Sequence, residues 1–205
     1  AHAPVAVIVV NLNGGELIER TLDSLGRQTQ RPARTIVVDN GSTDGSYDAL
    51  AREFPDLRQE RIEGNRGASA GYAHGMRWAM AGGFDYVLLL NNDIEVDSSM
   101  LDELVAVAES SAGIGCVGPK SYFYADRRRL WSAGGLLRYR ESITQERGYG
   151  EIDRGQFDRD EDVPYVNGCA ILIKRSAIVA AGFWDPVFHI CVDDADFCTR
   201  VKRAG

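Results

Sequence analysis

The 205-residue sequence is poor in the residues on which most hydrolytic and redox chemistry depends. It holds only three histidines, His2, His74 and His189, and no G-x-S-x-G elbow, so a Ser-His-Asp hydrolase has little to build on. The four cysteines, Cys116, Cys169, Cys191 and Cys198, form no C-x-x-C pair, and three stand among apolar neighbours. They read as reduced core residues of a cytosolic protein rather than as disulfide or zinc ligands. No G-x-G-x-x-G follows the first strand-like run and no G-x-x-x-x-G-K-[ST] occurs, so no backbone cradle for phosphates is expected. Positive charge is in deficit: 23 Lys and Arg against 30 Asp and Glu give a formal charge of -7. That argues against a nucleic-acid partner, which wants a basic face, but leaves room for one nucleotide held through a metal. No apolar run approaches the roughly 20 residues of a membrane span. No signal peptide is expected before Val5, and Ala1, His2 and Ala3 are left out of the fold.

What is present is the composition of an ordinary globular domain, 44% hydrophobic and 26% charged, in a chain long enough to bury a core. Val5 to Val10 is a β-branched run that reads as a buried first strand, followed by an amphipathic helix carrying Leu17, Ile18, Leu22 and Leu25. Thr35 to Val38 gives a second strand. The turn segment after it leads into a helix whose N-cap is read as Ser42, Thr43 or Asp44. A third strand near Leu57 to Ile62, a helix from about Asn65 to Ala81, a strand at 86–90, a helix from Ser98 to Glu109 and a strand at Ile114 to Val117 complete the alternation. That order predicts an α/β domain with a mostly parallel sheet and right-handed crossovers. Residues 121–162 break the pattern. Their charge runs predict a hairpin or excursion with one mobile loop and solvated faces. A strand from Val163 to Ile173, a short helix from Ser176 to Ala181 and a helix after Val192 follow.

In an open α/β sheet the ligand crevice lies beyond the carboxyl ends of the strands. The apolar run Val87 to Leu90 ends in Asn91, Asn92 and Asp93. This is either a polar turn capping the next helix or a hard oxygen site for Mg²⁺ or Mn²⁺ against a diphosphate. Asp39 ends a second strand on the same rim. Asp193, Asp194 and Asp196 crowd the start of a late helix, where the helix dipole accounts for one or two carboxylates but not for three within four residues.

Five segments occur in order: Val7 to Gly14, Val37 to Ser46, Asn65–Arg66–Gly67, Leu88 to Asp93 and Asp193 to Arg200. Together they resemble glycosyltransferase family 2, the inverting enzymes of the GT-A fold, and within it the branch of rhamnosyl- and galactofuranosyltransferase-like proteins. The resemblance implies a single Rossmann-like GT-A domain over 1–205, with a nucleotide-sugar-binding half at 1–120 and an acceptor-side half at 121–205 that carries the catalytic base. It implies that Asp39 accepts a hydrogen bond from a uracil or thymine imide, with Asn11, Asn13 and Asn40 beside the nucleotide. Asn65, Gly67 and Asn92 would line the donor pocket, and Gly168 would lie near the acceptor. Asp93 would bind Mg²⁺ or Mn²⁺ as the last acid of a D-x-D motif. Asp194 would be the base, supported by Asp193. The partners implied are a UDP- or dTDP-sugar donor and a glycan or lipid-linked saccharide acceptor. The location implied is cytoplasmic, with the full-length protein resting peripherally on the inner face of a membrane.

Three departures from that pattern matter. The D-x-D position reads Asn91–Asn92–Asp93, one carboxylate short, with Asp93–Ile94–Glu95 as an alternative acidic pair. The usual Glu of the family's Glu-Asp pair is Asp193. The chain stops at Gly205, where many relatives continue, some with a metal-binding histidine; His189 is expected to be structural rather than a ligand. Two other readings stay open: a nucleotide-sugar-binding module without turnover, and a sugar nucleotidyltransferase, although Asn11 to Glu16 lacks the basic residue of the latter's phosphate loop.

Overall fold

The computed structural model describes residues 3–141 and 143–205. Ala1 and His2, set aside above, lie outside the described residues, as does Ser142.

Four strands form first and pair in parallel: β1 (Val5–Asn11), β2 (Arg34–Asp39), β3 (Arg58–Arg61) and β4 (Tyr86–Asn91). The helices between them are α1 (Gly15–Gly26), α2 (Ser46–Glu53) and α3 (Ala68–Ala81), and α4 (Met100–Ser110) follows β4. The central strands are apolar throughout because both faces are covered, as parallel sheets require. Val5, Val7, Val9, Leu88 and Leu90 pack against α1 and α4, while Ala6, Ile8, Val10, Val87 and Leu89 pack against α3 and later helices. The result is three layers with the sheet in the middle.

The chain then leaves the sheet for two antiparallel hairpins, β6 (Ser121–Phe123) with β7 (Asp126–Ser132) and β8 (Gly135–Arg138) with β9 (Ile143–Glu146), after the short β5 (Cys116–Val117). It returns as β10 (Ala170–Lys174), followed by α5 (Arg175–Ala181) and α6 (Asp193–Ala204). The sheet order is β3-β2-β1-β4-β10-β5. Two expectations are corrected here. The late strand starts at Ala170 rather than Val163, and it runs antiparallel to both β4 and β5. The helix start after β2 is Gly45, with no side-chain cap, and Asp44 instead accepts from the backbone N–H of Ser46 at 3.0 Å.

The antiparallel strand has a positional consequence. In parallel strands all carboxyl ends meet one rim, where Asn11 pairs with Asp39 and Val10 with Asn91. Because β10 runs the other way, its amino end reaches that same rim, and Asn91 N donates to Cys169 O at 2.9 Å. The turn carrying Asn167 and Gly168 is thereby delivered to the ends of β1, β2 and β4. Among the described residues, no helix is long and apolar enough to cross a membrane.

Candidate active site

The rim is held by a knot of buried amides. Asn11 is fully buried; its Nδ2 lies 3.2 Å from Asp39 Oδ1, 3.2 Å from Ser42 Oγ and 3.0 Å from Ser46 Oγ. An amide has two hydrogens for these three acceptors, so one bond is shared. Asn11 Oδ1 accepts from Asn92 Nδ2 at 2.9 Å, which ties the end of β1 to the end of β4. The Asn11 side chain therefore shapes the rim from inside rather than facing solvent.

Asp39 is also fully buried, and its Oδ2 accepts from Ser42 N at 3.0 Å and faces Arg61 Nε at 3.3 Å. A buried carboxylate needs such a countercharge. Arg61, at the end of β3, is half-exposed and lies over the Tyr47 ring at 5.1 Å, so this cover sits on the solvent side of Asp39. Asn13 adopts a left-handed conformation (φ 53°); its N–H donates to Ser42 Oγ at 2.9 Å and its Oδ1 accepts from Thr43 N at 2.8 Å. Asn40 donates to Asn65 Oδ1 at 3.2 Å and accepts from Arg66 N at 3.1 Å; Asn65 Oδ1 also accepts from Gly67 N at 2.9 Å. The candidate donor-side residues Asn11, Asn13, Asp39, Asn40, Asn65, Gly67 and Asn92 thus come together as one bonded frame at the strand ends.

Asp93 differs from all of these. It is exposed, just past β4, with no protein hydrogen bond among those described. Glu95, the alternative acid, is occupied: it accepts from Tyr124 OH at 3.0 Å and pairs with Arg127 at 3.1 Å. Among the described residues, no group of three His, Cys, Asp or Glu side chains converges as a metal cage. One free carboxylate does fit a hard cation whose remaining ligands are donor phosphates and water, the arrangement Mg²⁺ prefers.

The acidic helix start resolves into three separate jobs. Asp196 pairs with Arg200 at 2.7 Å along α6. Asp193 Oδ2 accepts from Ser69 Oγ at 2.6 Å and from Trp184 Nε1 at 2.8 Å, which joins α6 to α3. Asp194 Oδ2 accepts from Gly168 N at 2.9 Å, and its Oδ1 accepts from Ala195 N at 2.8 Å. Burial holds the Asp194 carboxyl above the usual aspartate range; the two backbone N–H bonds pull it down, while the Asp193 and Glu146 charges push it up. A carboxylate tuned upward is a better proton acceptor near neutral pH. His189 contributes its carbonyl to Ser69 N at 3.2 Å, a structural role. Gly67 (φ 86°) is pressed so close to it that a Cβ there would lie 2.3 Å from His189 O.

The sequence reading missed Arg61, Ser69 and Trp184. Arg61 carried a signal: a cation closing a strand, at the rim where Asp39 ends the neighbouring one. Ser69 and Trp184 carried none, since their bonds to Asp193 span 124 and 9 positions.

A family model described as "Glycosyl transferase family 2" matches residues 6–180. The chain is 26% identical over 220 residues to an N-acetylglucosaminyl-diphospho-decaprenol L-rhamnosyltransferase of Mycobacterium tuberculosis, covering 97% of this chain and 70% of the relative. It is 30% identical over 211 residues to the galactofuranosyltransferase GlfT1 of the same organism, covering 98% of this chain and 64% of the relative. Among solved structures, a mannosyltransferase from Pyrobaculum calidifontis in complex with GDP-Man and Mn²⁺ matches with a TM-score of 0.67 at 20% identity. That match covers 98% of this chain but 52% of the mannosyltransferase.

Proposed function

The chain belongs to glycosyl transferase family 2 and has the GT-A fold, and from that premise we propose that it moves a sugar, with inversion, from a UDP- or dTDP-linked donor to a hydroxyl of a glycan or lipid-linked saccharide. The observation that carries the reading is the convergence at one rim of an upward-tuned carboxylate, Asp194, and a free one, Asp93, around the amide frame. In this reading residues 1–120 hold the donor, and 121–205 bring the acceptor side and the base. The rhamnosyl transfer to a decaprenol-linked saccharide and the galactofuranosyl transfer by which the relatives are named support an acceptor in cell-surface polysaccharide synthesis, met at the inner face of a membrane.

The frame of Asn11, Asn40, Asn65 and Asn92 fixes the loops around the nucleotide. Asp39 takes the base imide once Arg61 swings aside. Asp193, clamped by Ser69 and Trp184, sets the start of α6 so that Asp194 faces the acceptor through Gly168. Asp194 takes the proton of the acceptor hydroxyl; the oxygen attacks the anomeric carbon from the face opposite the departing nucleoside diphosphate. No covalent sugar–enzyme bond is needed. Asp93 would hold Mg²⁺ or Mn²⁺, which when bound neutralises diphosphate charge.

Asp194→Asn is expected to lower kcat roughly 10²- to 10⁴-fold while nucleotide binding by calorimetry stays unchanged. Because the base works ionised and its pKa is raised, the acid limb of kcat/KM should lie above the ordinary aspartate range. Activity would fall as pH drops through that limb. A limb at an ordinary aspartate pKa, or full activity in Asp194→Asn, would remove Asp194 from the role. A second reading, a sugar-nucleotide-binding module without turnover, is favoured by the single free acid at Asp93. Donor binding without transfer on any acceptor would establish it.

A further inference from the structure

The outer face of α3 carries Ala70, His74 and Arg77 at helical spacing, opposite the buried Tyr72, Met76 and Ala79. Between this stripe, Ile62 just past β3, and Pro186 lies a groove of about 490 Å³, a volume usual for small-molecule sites. Arg66 and Glu63 complete its lining. Its charges are unbalanced. Arg77 lies over the Phe183 ring at 5.0 Å and has no hydrogen bond or ion pair among the described residues. Arg66 donates through Nε to the Glu63 carbonyl at 3.1 Å, and its terminal nitrogens are unbonded among the described residues. His74 is bonded to Glu60, which leaves Glu63 as the one acid on the lining. On a chain with 30 acids against 23 bases, this groove is a positive spot on a negative surface. A guanidinium can only donate, and its planar fork matches the acceptor oxygens of a phosphate two at a time.

The segment that closes the groove leads to the acceptor side. Pro186 opens it, and in it Val187, Ile190 and Val192 are 76%, 63% and 48% exposed. Single apolar side chains on a surface need no reason, but three within six residues form a patch. The backbone beneath them is held in an unfavourable form. His189, Cys191 and Val192 have φ of 55°, 71° and 64°, a region that a β-branched valine seldom adopts. Such conformations persist where neighbours hold them, and they gather at ligand sites. The start of α3 is that neighbour, through the contact of Gly67 and the bond of Ser69 N with His189. Ala70 lines the groove, and Ser69 beside it binds Asp193, next to the candidate base. Cationic groove, apolar lip and Asp194 thus follow one another along 186–194.

We propose that the groove is a second phosphate site, apart from the donor frame, and that its occupant is a lipid diphosphate. The diphosphate lies across Arg66 and Arg77, and the first carbons of the lipid lie on Val187 and Ile190. For its use this rests on the transferase reading: the site seats the carrier of a lipid-linked acceptor, whose sugar reaches Asp194. No metal is required, because the two guanidinium groups supply the countercharge.

Calorimetry on the full chain in EDTA tests this with farnesyl diphosphate, inorganic pyrophosphate and phosphatidylglycerol vesicles as probes. R77Q is expected to weaken farnesyl diphosphate about tenfold to a hundredfold, and pyrophosphate by the same factor. Its melting temperature and its Mn²⁺-dependent binding of UDP or dTDP, measured without EDTA, stay unchanged. I190S should weaken farnesyl diphosphate about threefold to tenfold and leave pyrophosphate as it was. In transfer assays R77Q should raise the KM for farnesyl-diphosphate-linked N-acetylglucosamine but not for octyl N-acetylglucosaminide. Unchanged farnesyl diphosphate binding in R77Q, or an equal loss of UDP and dTDP binding, overturns the proposal. Pyrophosphate bound as tightly as farnesyl diphosphate would make the occupant a free anion. Vesicles bound through Arg77 without farnesyl diphosphate binding would make it a membrane surface; either result overturns the lipid diphosphate. Arg77-dependent binding of farnesyl diphosphate with no transfer to any acceptor overturns the transferase reading and leaves the phosphate site standing.

Discussion

Asn11 shows how much of this rim hangs on one side chain. Removing its amide takes one partner each from Asp39 Oδ1, Ser42 Oγ, Ser46 Oγ and Asn92 Nδ2 at once. Asn11→Ala is expected to cost about 2–4 kcal/mol, one or two buried polar groups left without partners, read as a lower urea midpoint. A loss below about 0.5 kcal/mol would mean that water repairs the knot. Asp93 is the opposite case, because nothing in the protein depends on it. Asp93→Ala should leave the urea midpoint within about 0.5 kcal/mol of the unaltered chain while abolishing the Mn²⁺-dependent part of UDP or dTDP binding. The sequence offered both residues as candidates, because a polar residue ending an apolar strand stands out in one dimension. It could not separate them. Exposure and the 81-position reach from Asn11 to Asn92 exist only in the folded chain.

At the scale of elements, the alternation of β1 to β4 with α1 to α3 was legible because periodicity and turn residues both mark it. The late strand was misjudged in its start, and its direction was not legible at all. Val163 to Ile173 is almost continuously apolar or small, so periodicity cannot say where pairing begins, and direction is set by a partner 80 positions away, Leu90 against Ala170. The contact between α3 and the sheet is also close in a way that composition hides. A Cβ on Gly75 would lie 2.4 Å from Ile8 Cγ2, so the helix rests on β1 at backbone distance. Gly75→Val is expected to push α3 off the sheet at a cost of about 1–3 kcal/mol. Since α3 also carries Ser69 and its bond to Asp193, kcat should fall more than donor affinity does. Equal stability in the variant would show that Ile8 can rotate clear.

At the scale of the whole molecule, Trp184, in the turn after α5, joins α3 to α6. It is buried, meets Tyr72 of α3 edge-on at 5.8 Å, stacks on Phe197 of α6 at 4.9 Å and donates to Asp193. Trp184→Ala should cost about 3–5 kcal/mol, and its denaturant profile should lose stability and acceptor-side activity together. A nucleotide that binds the folded chain alone should oppose such losses. At a hundred times its Kd, UDP or dTDP should add about 2.7 kcal/mol, visible as a rise in melting temperature. No rise with either nucleotide, with or without Mn²⁺, would argue against a preformed donor frame.

The place of β10 in the sheet has one more consequence, for the order in which the chain can fold. As the polypeptide leaves the ribosome, β1, β2, β3 and β4 can assemble early, but the outer edge of β4 has no partner until Ala170–Lys174 emerges about eighty residues later. At roughly 5–20 residues per second, that edge, Val87 to Leu90, waits unpaired for several seconds. An apolar, open strand edge is the surface on which nascent chains join one another, so this protein needs either fast synthesis of the hairpin segment or a chaperone over β4. The first 120 residues, cut from the rest, should aggregate rather than stand as a domain.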